Sequence, residues 1–200
     1  PDAKITFGVG DGIFFSAIKN DPNIDHFETP FFYNVWKKRA RRKVYREKYR
    51  EYDQVFLLDS GTYDWWKPKK HLLDIYAEKC GVSLKERRPI IYLNDNDFEE
   101  AKKKLNELGI SNNDKFLVLS PETRSKKKMK EWPYDRFLSL IKKIHQNHDL
   151  KIVTLVSKEN PYNYDGTIPL KGYPLGPSAA MISRSNFYLG LDNGLTHIAS

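Results

Sequence analysis

The segment "LDNGLTH" near the end of the chain contains side chains that together could bind a charged ligand. Asn193 and Thr196 bring hydrogen-bonding groups, Asp192 brings a carboxylate, and His197 can contact a phosphate. Gly194 has no side chain, so the backbone can approach a ligand closely there. The same segment also suits ordinary helix capping by Asp192 or Asn193, and the residues alone leave this alternative open.

A second candidate segment, "PETRSKKKMKE", lies between an apolar run and a helical pattern that begins near Pro133. Such a loop lies at the carboxyl end of a strand, where open α/β sheets bind their ligands. The free N–H groups at the start of the following helix suit a phosphate. The loop adds five cations: Arg124, Lys126, Lys127, Lys128 and Lys130. A solvated basic loop is the alternative.

Asp95 and Asp97 form a third candidate, because paired carboxylates can hold a divalent cation on a nucleotide sugar. They directly precede the helical pattern "DFEEAKKKLNELG". Capping of that helix explains them better than a metal site does.

The segment from Lys37 to Arg50 is strongly basic and has an apolar seam that includes Trp36, Ala40 and Val44. A basic amphipathic helix suits an anionic lipid surface or a nucleic acid, although a solvated helix face is the commoner outcome. The basic residues are Lys37, Lys38, Arg39, Arg41, Arg42, Lys43, Arg46, Lys48 and Arg50.

Composition narrows the class of protein. The 200 residues are 40% hydrophobic and 30% charged, which is typical of a folded protein and excludes a disordered one. The net charge of +8 indicates an anionic partner. The single cysteine, Cys80, excludes an internal disulfide and fits a reducing compartment. No apolar run is long enough to span a bilayer.

Apolar strands alternate with helical patterns along the chain, which predicts an α/β fold with parallel strands. The predicted strands are "AKITFGV", "DQVFLLDS", "FLVLSPET", "LKIVTLVS" and "NFYLGLD". The predicted helices are "YNVWKKRARRKVYREKYREYD", "KKHLLDIYAEKCG", "DFEEAKKKLNELG" and "WPYDRFLSLIKKIHQNH".

Together these motifs resemble glycosyltransferase family 9, the bacterial heptosyltransferases of lipopolysaccharide biosynthesis. "MISRSNFYLGLDNGLTHIAS" is similar to the family's Asp-x-Gly-x-x-His donor motif with its preceding helix and strand. "FLVLSPETR" and "KEWPYDRFLSLIKKI" resemble the strand, donor loop and Trp-Pro helix start. The matches in the first half of the chain are looser.

The resemblance implies a GT-B type α/β fold with two Rossmann-like domains built on parallel sheets. An acceptor-side domain is expected at residues 1–93 and a nucleotide-sugar donor domain at residues 94–200. Both are expected to be incomplete, with a first strand and the general base upstream of residue 1 and further helices beyond residue 200. The chain by itself is therefore expected to be inactive.

The implied reaction moves a sugar, heptose in many family members, from ADP-heptose to an acidic lipid-linked or lipopolysaccharide-core acceptor. The resemblance implies inversion at the sugar without a metal or other cofactor, in the cytoplasm, with peripheral contact to the inner face of the membrane. Two alternatives remain: a basic, non-catalytic nucleic-acid-binding module, and a metal-dependent transferase that uses Asp95 and Asp97.

The family's site residues carry over to this sequence by position. Arg124, Glu159 and Thr196 are weaker donor candidates, and Lys38, Arg41 and Arg42 are expected to face the acceptor or the membrane. Asn193 stands where the family usually has threonine or serine. The residues expected to bind the donor are Thr123, Lys130, Asp192, Asn193, Gly194, Leu195 and His197.

Overall fold

The computed structural model describes residues 3–9, 12–28, 47–56, 58, 70–123 and 128–200. The chain groups into two compact units, one formed by Pro1–Pro30 with Pro89–Ser200 and the other by Phe31–Arg88. This grouping does not follow the expected division between residues 93 and 94, and that domain boundary stays a prediction. Among the described helices, none combines the length and the apolar character that a membrane-spanning helix needs.

A four-stranded parallel sheet forms the centre of the first unit. Its strands are β3 (Phe116–Ser120), β4 (Lys151–Val156), β5 (Ile168–Lys171) and β6 (Phe187–Gly190). The spatial order is β5-β4-β3-β6, and each neighbouring pair is parallel. The predicted α/β class with parallel strands is confirmed. The sequence pattern missed β5, a short strand that contains Pro169, which its position at the sheet edge tolerates.

Helices cover both faces of this sheet. On one face, α3 (Asp95–Glu107) and α5 (Leu175–Arg184) pack on Phe116 and Val118 of β3. On the other face, α4 (Tyr134–Asn147) packs on Leu117 and Leu119. Because side chains alternate along a strand, β3 contributes to two separate cores. This double coverage explains why β3 is buried at all five positions.

The helix that follows the last strand, α6 (Gly194–Ala199), lies at the carboxyl end of β6. The loop after β3 contains a 3-10 turn at Lys128–Lys130 before α4 begins. Both features lie at the sheet edge where the sequence predicts ligand binding, because the carboxyl ends of parallel strands share one edge.

The first thirty residues contribute a two-stranded parallel sheet, β1 (Thr6–Gly8) with β2 (His26–Glu28), and the helix α1 (Gly12–Ile18). Side-chain hydrogen bonds from Asn20 and Asn23 reach Tyr92, each at 3.2 Å. These bonds join the start of the chain to the segment that leads into α3.

The second unit contains α2 (Leu72–Cys80), which ends as predicted at Gly81 with a left-handed φ of 68°. Residues 54–56 and 58 of the predicted strand "DQVFLLDS" are not in a strand, and its residues 57, 59 and 60 lie outside the described residues. The basic segment is described only from Glu47 onwards.

Candidate functional site

The loops that follow β3, β4 and β6 lie at the carboxyl edge of the sheet. Most of the predicted donor residues lie on the loops after β3 and β6. The loop after β3 carries Thr123 and Lys130, and the loop after β6 carries Asp192 and Asn193. These loops are neighbours because β3 pairs directly with β6, with Ser120 opposite Gly190. Residues about 70 positions apart in sequence are thereby brought within hydrogen-bonding distance.

Asp192 lies at the centre of a polar cluster that also includes Thr123, Lys130 and His197. We call it the donor cluster after the role that the sequence predicts for these residues. The Lys130 ammonium lies 2.5 Å from Oδ2 of Asp192, and Nε2 of His197 lies 3.6 Å from its Oδ1. The hydroxyl of Thr123 donates to the backbone oxygen of Asp192 at 3.4 Å. Sequence reasoning predicted all four of these residues, and the fold brings them together.

The charges of the donor cluster are open to solvent. The side chains of Lys130, Asp192 and His197 are 46%, 59% and 73% exposed. The hydrogen bond from Lys130, followed by the charge attraction of Lys130 and of His197, holds the pKa of Asp192 below its ordinary value. Because the pair is solvent-exposed, it adds little to stability and can rearrange around an anion.

Asn193 connects the loops rather than pointing freely into solvent. Its side-chain oxygen accepts from the backbone N–H of Thr196 at 3.0 Å, which makes it the N-cap of α6. Its amide nitrogen donates to the hydroxyl of Ser120 at 2.9 Å and to the backbone oxygen of Glu122 at 2.6 Å. The capping alternative therefore describes what this side chain does, and a direct bond to a ligand stays a prediction.

Leu195 and Thr196 also have packing roles. The Leu195 side chain is partly buried against the core that α3 and α5 form with the sheet. The Thr196 hydroxyl donates to the backbone oxygen of Leu191 and lies 3.1 Å from the Tyr188 hydroxyl. Burial raises the pKa of Tyr188, so this phenol stays neutral at ordinary pH. Both predicted residues face the protein interior more than an open site.

Gly194, the first residue of α6, has open space where a side chain would project. The prediction that the backbone can be approached closely at this position is compatible with that geometry. The close approach observed within the protein occurs instead at Gly190, where an added Cβ would lie 2.8 Å from the Thr196 hydroxyl oxygen.

Glu122 is a site residue that sequence reasoning missed. Its carboxylate accepts hydrogen bonds from the backbone N–H and the hydroxyl of Ser157 and from the amide of Asn160, in the loop after β4. Only its position at the end of the predicted strand "FLVLSPET" could have singled it out. The weaker candidate Glu159 lies between these two partners and is exposed.

Asp95 and Asp97 lie at the start of α3, and Asp97 is part of a capping box with Asn94. The Asp97 carboxylate accepts from the Asn94 backbone N–H at 3.1 Å and is 4% exposed. Capping thus accounts for Asp97, as expected. Across the described ranges, no group of three or more histidine, cysteine, aspartate or glutamate side chains could hold a metal ion.

Several predicted site residues lie outside the described residues. They are Arg124, Lys126 and Lys127 of the loop after β3, and Lys38, Arg41 and Arg42 of the basic segment. Their proposed roles stay predictions from the sequence.

Comparison with solved structures identifies proteins of similar fold. The chain superposes on the glycosyltransferase family 9 protein from Veillonella parvula DSM 2008 with a TM-score of 0.70 and 16% identity, covering 98% of this chain and 68% of that one. It superposes on E. coli ADP-heptose LPS heptosyltransferase II with a TM-score of 0.56 and 12% identity, covering 100% of this chain and 73% of that one. No protein-family model and no curated protein sequence matches.

At these identities the likeness shows the fold. The chain therefore has the α/β fold of GT-B glycosyltransferases, and the resemblance to family 9 seen in the motifs is confirmed at this level. The function must be argued from the donor cluster itself.

Proposed function

We propose that this chain is part of a glycosyltransferase that moves heptose from ADP-heptose to an acidic lipid-linked or lipopolysaccharide-core acceptor, and that residues 94–200 bind the nucleotide sugar. The observation that carries the proposal is the donor cluster at the carboxyl edge of a parallel sheet whose fold is that of known heptosyltransferases. That edge is the ordinary ligand position in such sheets.

The chemistry of sugar transfer from a nucleoside diphosphate explains why a cluster of this kind is needed. As the bond to the sugar breaks, negative charge develops on the diphosphate leaving group. Fixed cations and helix N-termini can stabilise that charge without a metal. Lys130 supplies the cation, and His197 can supply a second positive charge or a hydrogen-bond donor.

Within the protein, the carboxylate of Asp192 is the partner of the Lys130 ammonium. A diphosphate carries more charge than one carboxylate and would compete for the Lys130 ammonium. Asp192 would then keep Lys130 and His197 close together before binding, which lowers the ordering cost of binding. This proposal assigns Asp192 an orienting role and Lys130 the direct contact.

The rest of the reaction is proposed on the resemblance and on charge. Inversion at the sugar requires a general base that takes the acceptor's proton as the new bond forms. The basic segment containing Lys38, Arg41 and Arg42 is proposed to face the acidic acceptor or an anionic membrane, since nine cations in fourteen positions suit such a partner.

Binding of ADP, measured by calorimetry on the 200-residue chain, tests the donor site without requiring transfer. We expect Lys130→Ala to weaken ADP binding roughly 10- to 100-fold, because a charge-assisted contact is lost. Lys142→Ala is the matched control, since Lys142 is an exposed lysine on α4. Equal ADP affinity in wild type and Lys130→Ala would refute the assignment.

Two further binding measurements distinguish the proposed donor site from the two alternative functions. Tight binding of a short DNA duplex with a steep salt dependence, and no binding of ADP, would favour the nucleic-acid module. ADP binding that requires a divalent cation and is lost in Asp97→Ala would favour the metal-dependent transferase.

The acceptor assignment is tested by the kinetics of heptose transfer from ADP-heptose to a lipopolysaccharide-core acceptor. We expect reversal of Arg41 and Arg42 to glutamate to raise the acceptor's KM and to leave the donor's KM nearly unchanged. A fall in donor affinity with no change for the acceptor would show that the domain roles are assigned wrongly.

A further inference from the structure

Glu122 joins the three loops at the carboxyl edge of the sheet. Through its carboxylate it holds the loop after β4, where Asn160 donates at 2.5 Å and the Ser157 hydroxyl at 3.1 Å. The backbone N–H of Ser157 is a third donor. Through its backbone oxygen it accepts from Asn193 in the loop after β6 at 2.6 Å. Glu122 itself belongs to the loop after β3.

The partners of Glu122 are themselves held in place. Asn160 is 5% exposed, its side-chain oxygen accepts from the Tyr162 backbone N–H at 2.8 Å, and its backbone oxygen accepts from Lys171 at 3.0 Å. The loop after β4 is therefore fixed to β5 and to Glu122 together. Removing the Glu122 carboxylate would leave donors of this loop without their acceptor, which costs more than the bond itself contributes.

The residue after Glu122 is part of the donor cluster. Thr123 donates to the backbone oxygen of Asp192, and Asp192 holds Lys130. If Glu122 moves more, Thr123 moves more as well, because one peptide bond joins them. The start of α6 is also affected, because Asn193 donates to the backbone oxygen of Glu122 and caps that helix. A diphosphate that binds to a looser cluster must order it, and this ordering reduces affinity.

We propose that Glu122 is a positioning residue for the donor site: it fixes the positions of the three loops that form the site and does not itself contact the nucleotide. The inference rests on the proposed function, because it assumes that the donor cluster binds a nucleoside diphosphate. A carboxylate close to a diphosphate would ordinarily weaken binding, because the two negative charges repel. The hydrogen bonds from Ser157 and Asn160 keep the Glu122 carboxylate turned towards the loop after β4, so in this proposal it increases the affinity for the donor.

The carboxylate of Glu122 and the amide of Asn160 can be exchanged by substitution, and this exchange tests the proposal. In Glu122→Gln one of the two oxygens becomes an NH2 group, so a donor faces either the Asn160 amide or the Ser157 backbone N–H, whichever way the new amide is turned. In Asn160→Asp two carboxylates face each other. In the double variant Glu122→Gln/Asn160→Asp, the new amide donates to one oxygen of the new carboxylate. The amide oxygen can still accept from the backbone N–H of Ser157, and the second carboxylate oxygen from that of Tyr162.

The measurements are the Kd for ADP by calorimetry and the unfolding midpoint in urea, for the full 200-residue chain. We expect each single variant to weaken ADP binding about tenfold, and the double variant to return to within about threefold of wild type, since the two sites are directly coupled. Glu99→Gln, an exposed acid on α3, is the matched control and should match wild type.

The outcomes separate the two proposals. Restored ADP affinity in the double variant supports positioning by Glu122. Unchanged ADP affinity in both single variants overturns this inference and leaves the proposed function standing. Restored unfolding midpoints without restored ADP affinity would show that the bridge serves stability alone, which also overturns it. No binding of ADP by wild type would refute the proposed function and this inference with it.

Discussion

Replacing Asn193 by alanine removes the side-chain cap of α6 and two hydrogen bonds that hold the loop after β6 to Ser120 of β3 and to Glu122 in the loop that follows β3. The loss of the N-cap costs about 1 kcal/mol. The bonds to Ser120 and to the Glu122 backbone oxygen contribute about 1 kcal/mol each where they are shielded from water. Because Asn193 is only partly buried, we expect a total loss of about 2–3 kcal/mol in the free energy of unfolding.

The assay is urea unfolding followed by circular dichroism, with Asn193→Asp as a graded variant. Aspartate keeps the capping oxygen but loses both N–H donors and places an oxygen against the backbone oxygen of Glu122, so we expect it to recover at most the capping contribution of about 1 kcal/mol. Asn147→Ala, at an exposed position in the last turn of α4, should change stability by less than about 0.5 kcal/mol. An unchanged slope with denaturant would show that the folded and unfolded states keep their compactness.

One result would refute this reasoning about Asn193. If Asn193→Ala unfolds at the wild-type urea concentration yet no longer binds ADP, then the side chain contacts the donor directly. Its hydrogen bonds to Ser120 and Glu122 would then be incidental. If both stability and ADP affinity fall, and Asn193→Asp recovers part of each, the connecting role holds.

Two other predictions follow from packing and charge. In Gly176→Ala the added Cβ would lie 2.7 Å from the carboxyl carbon of Asp97 and disrupt the cap of α3, so we expect a loss of about 1–3 kcal/mol by thermal or urea unfolding, with Gly12→Ala as a control that meets no neighbour. The pKa of Asp192 is lowered in the folded state, so the stabilisation from its pair with Lys130 is present above pH about 4 and is lost as the pH falls through the folded pKa. The stability difference between wild type and Asp192→Asn, which is small because the pair is exposed, should therefore shrink as the pH falls below about 4, and a difference that does not shrink would rule out the ion pair as its cause.

The sequence by itself determined the class of fold and most of the donor cluster. The runs around Phe116 and Ile152 read as strands because they are apolar throughout, and the helical spacing of Phe137 and Ile141 marks α4. Alternation of these patterns implies parallel strands, and parallel strands place the loops that follow them at one edge. That rule places the two candidate loops at one edge of the sheet, and the family resemblance singled out Lys130 and Asp192 within them.

Only the tertiary structure decided which of these polar groups are free to meet a ligand. Sequence spacing could not show that Asn193 is engaged by Ser120 and Glu122, because those partners lie about 70 residues earlier in the chain. Nor could it single out Glu122, whose partners in the loop after β4 become neighbours when β3 pairs with β4. A hydrogen bond across strands depends on register and on the path of each loop, and neither is written in the local pattern of residues.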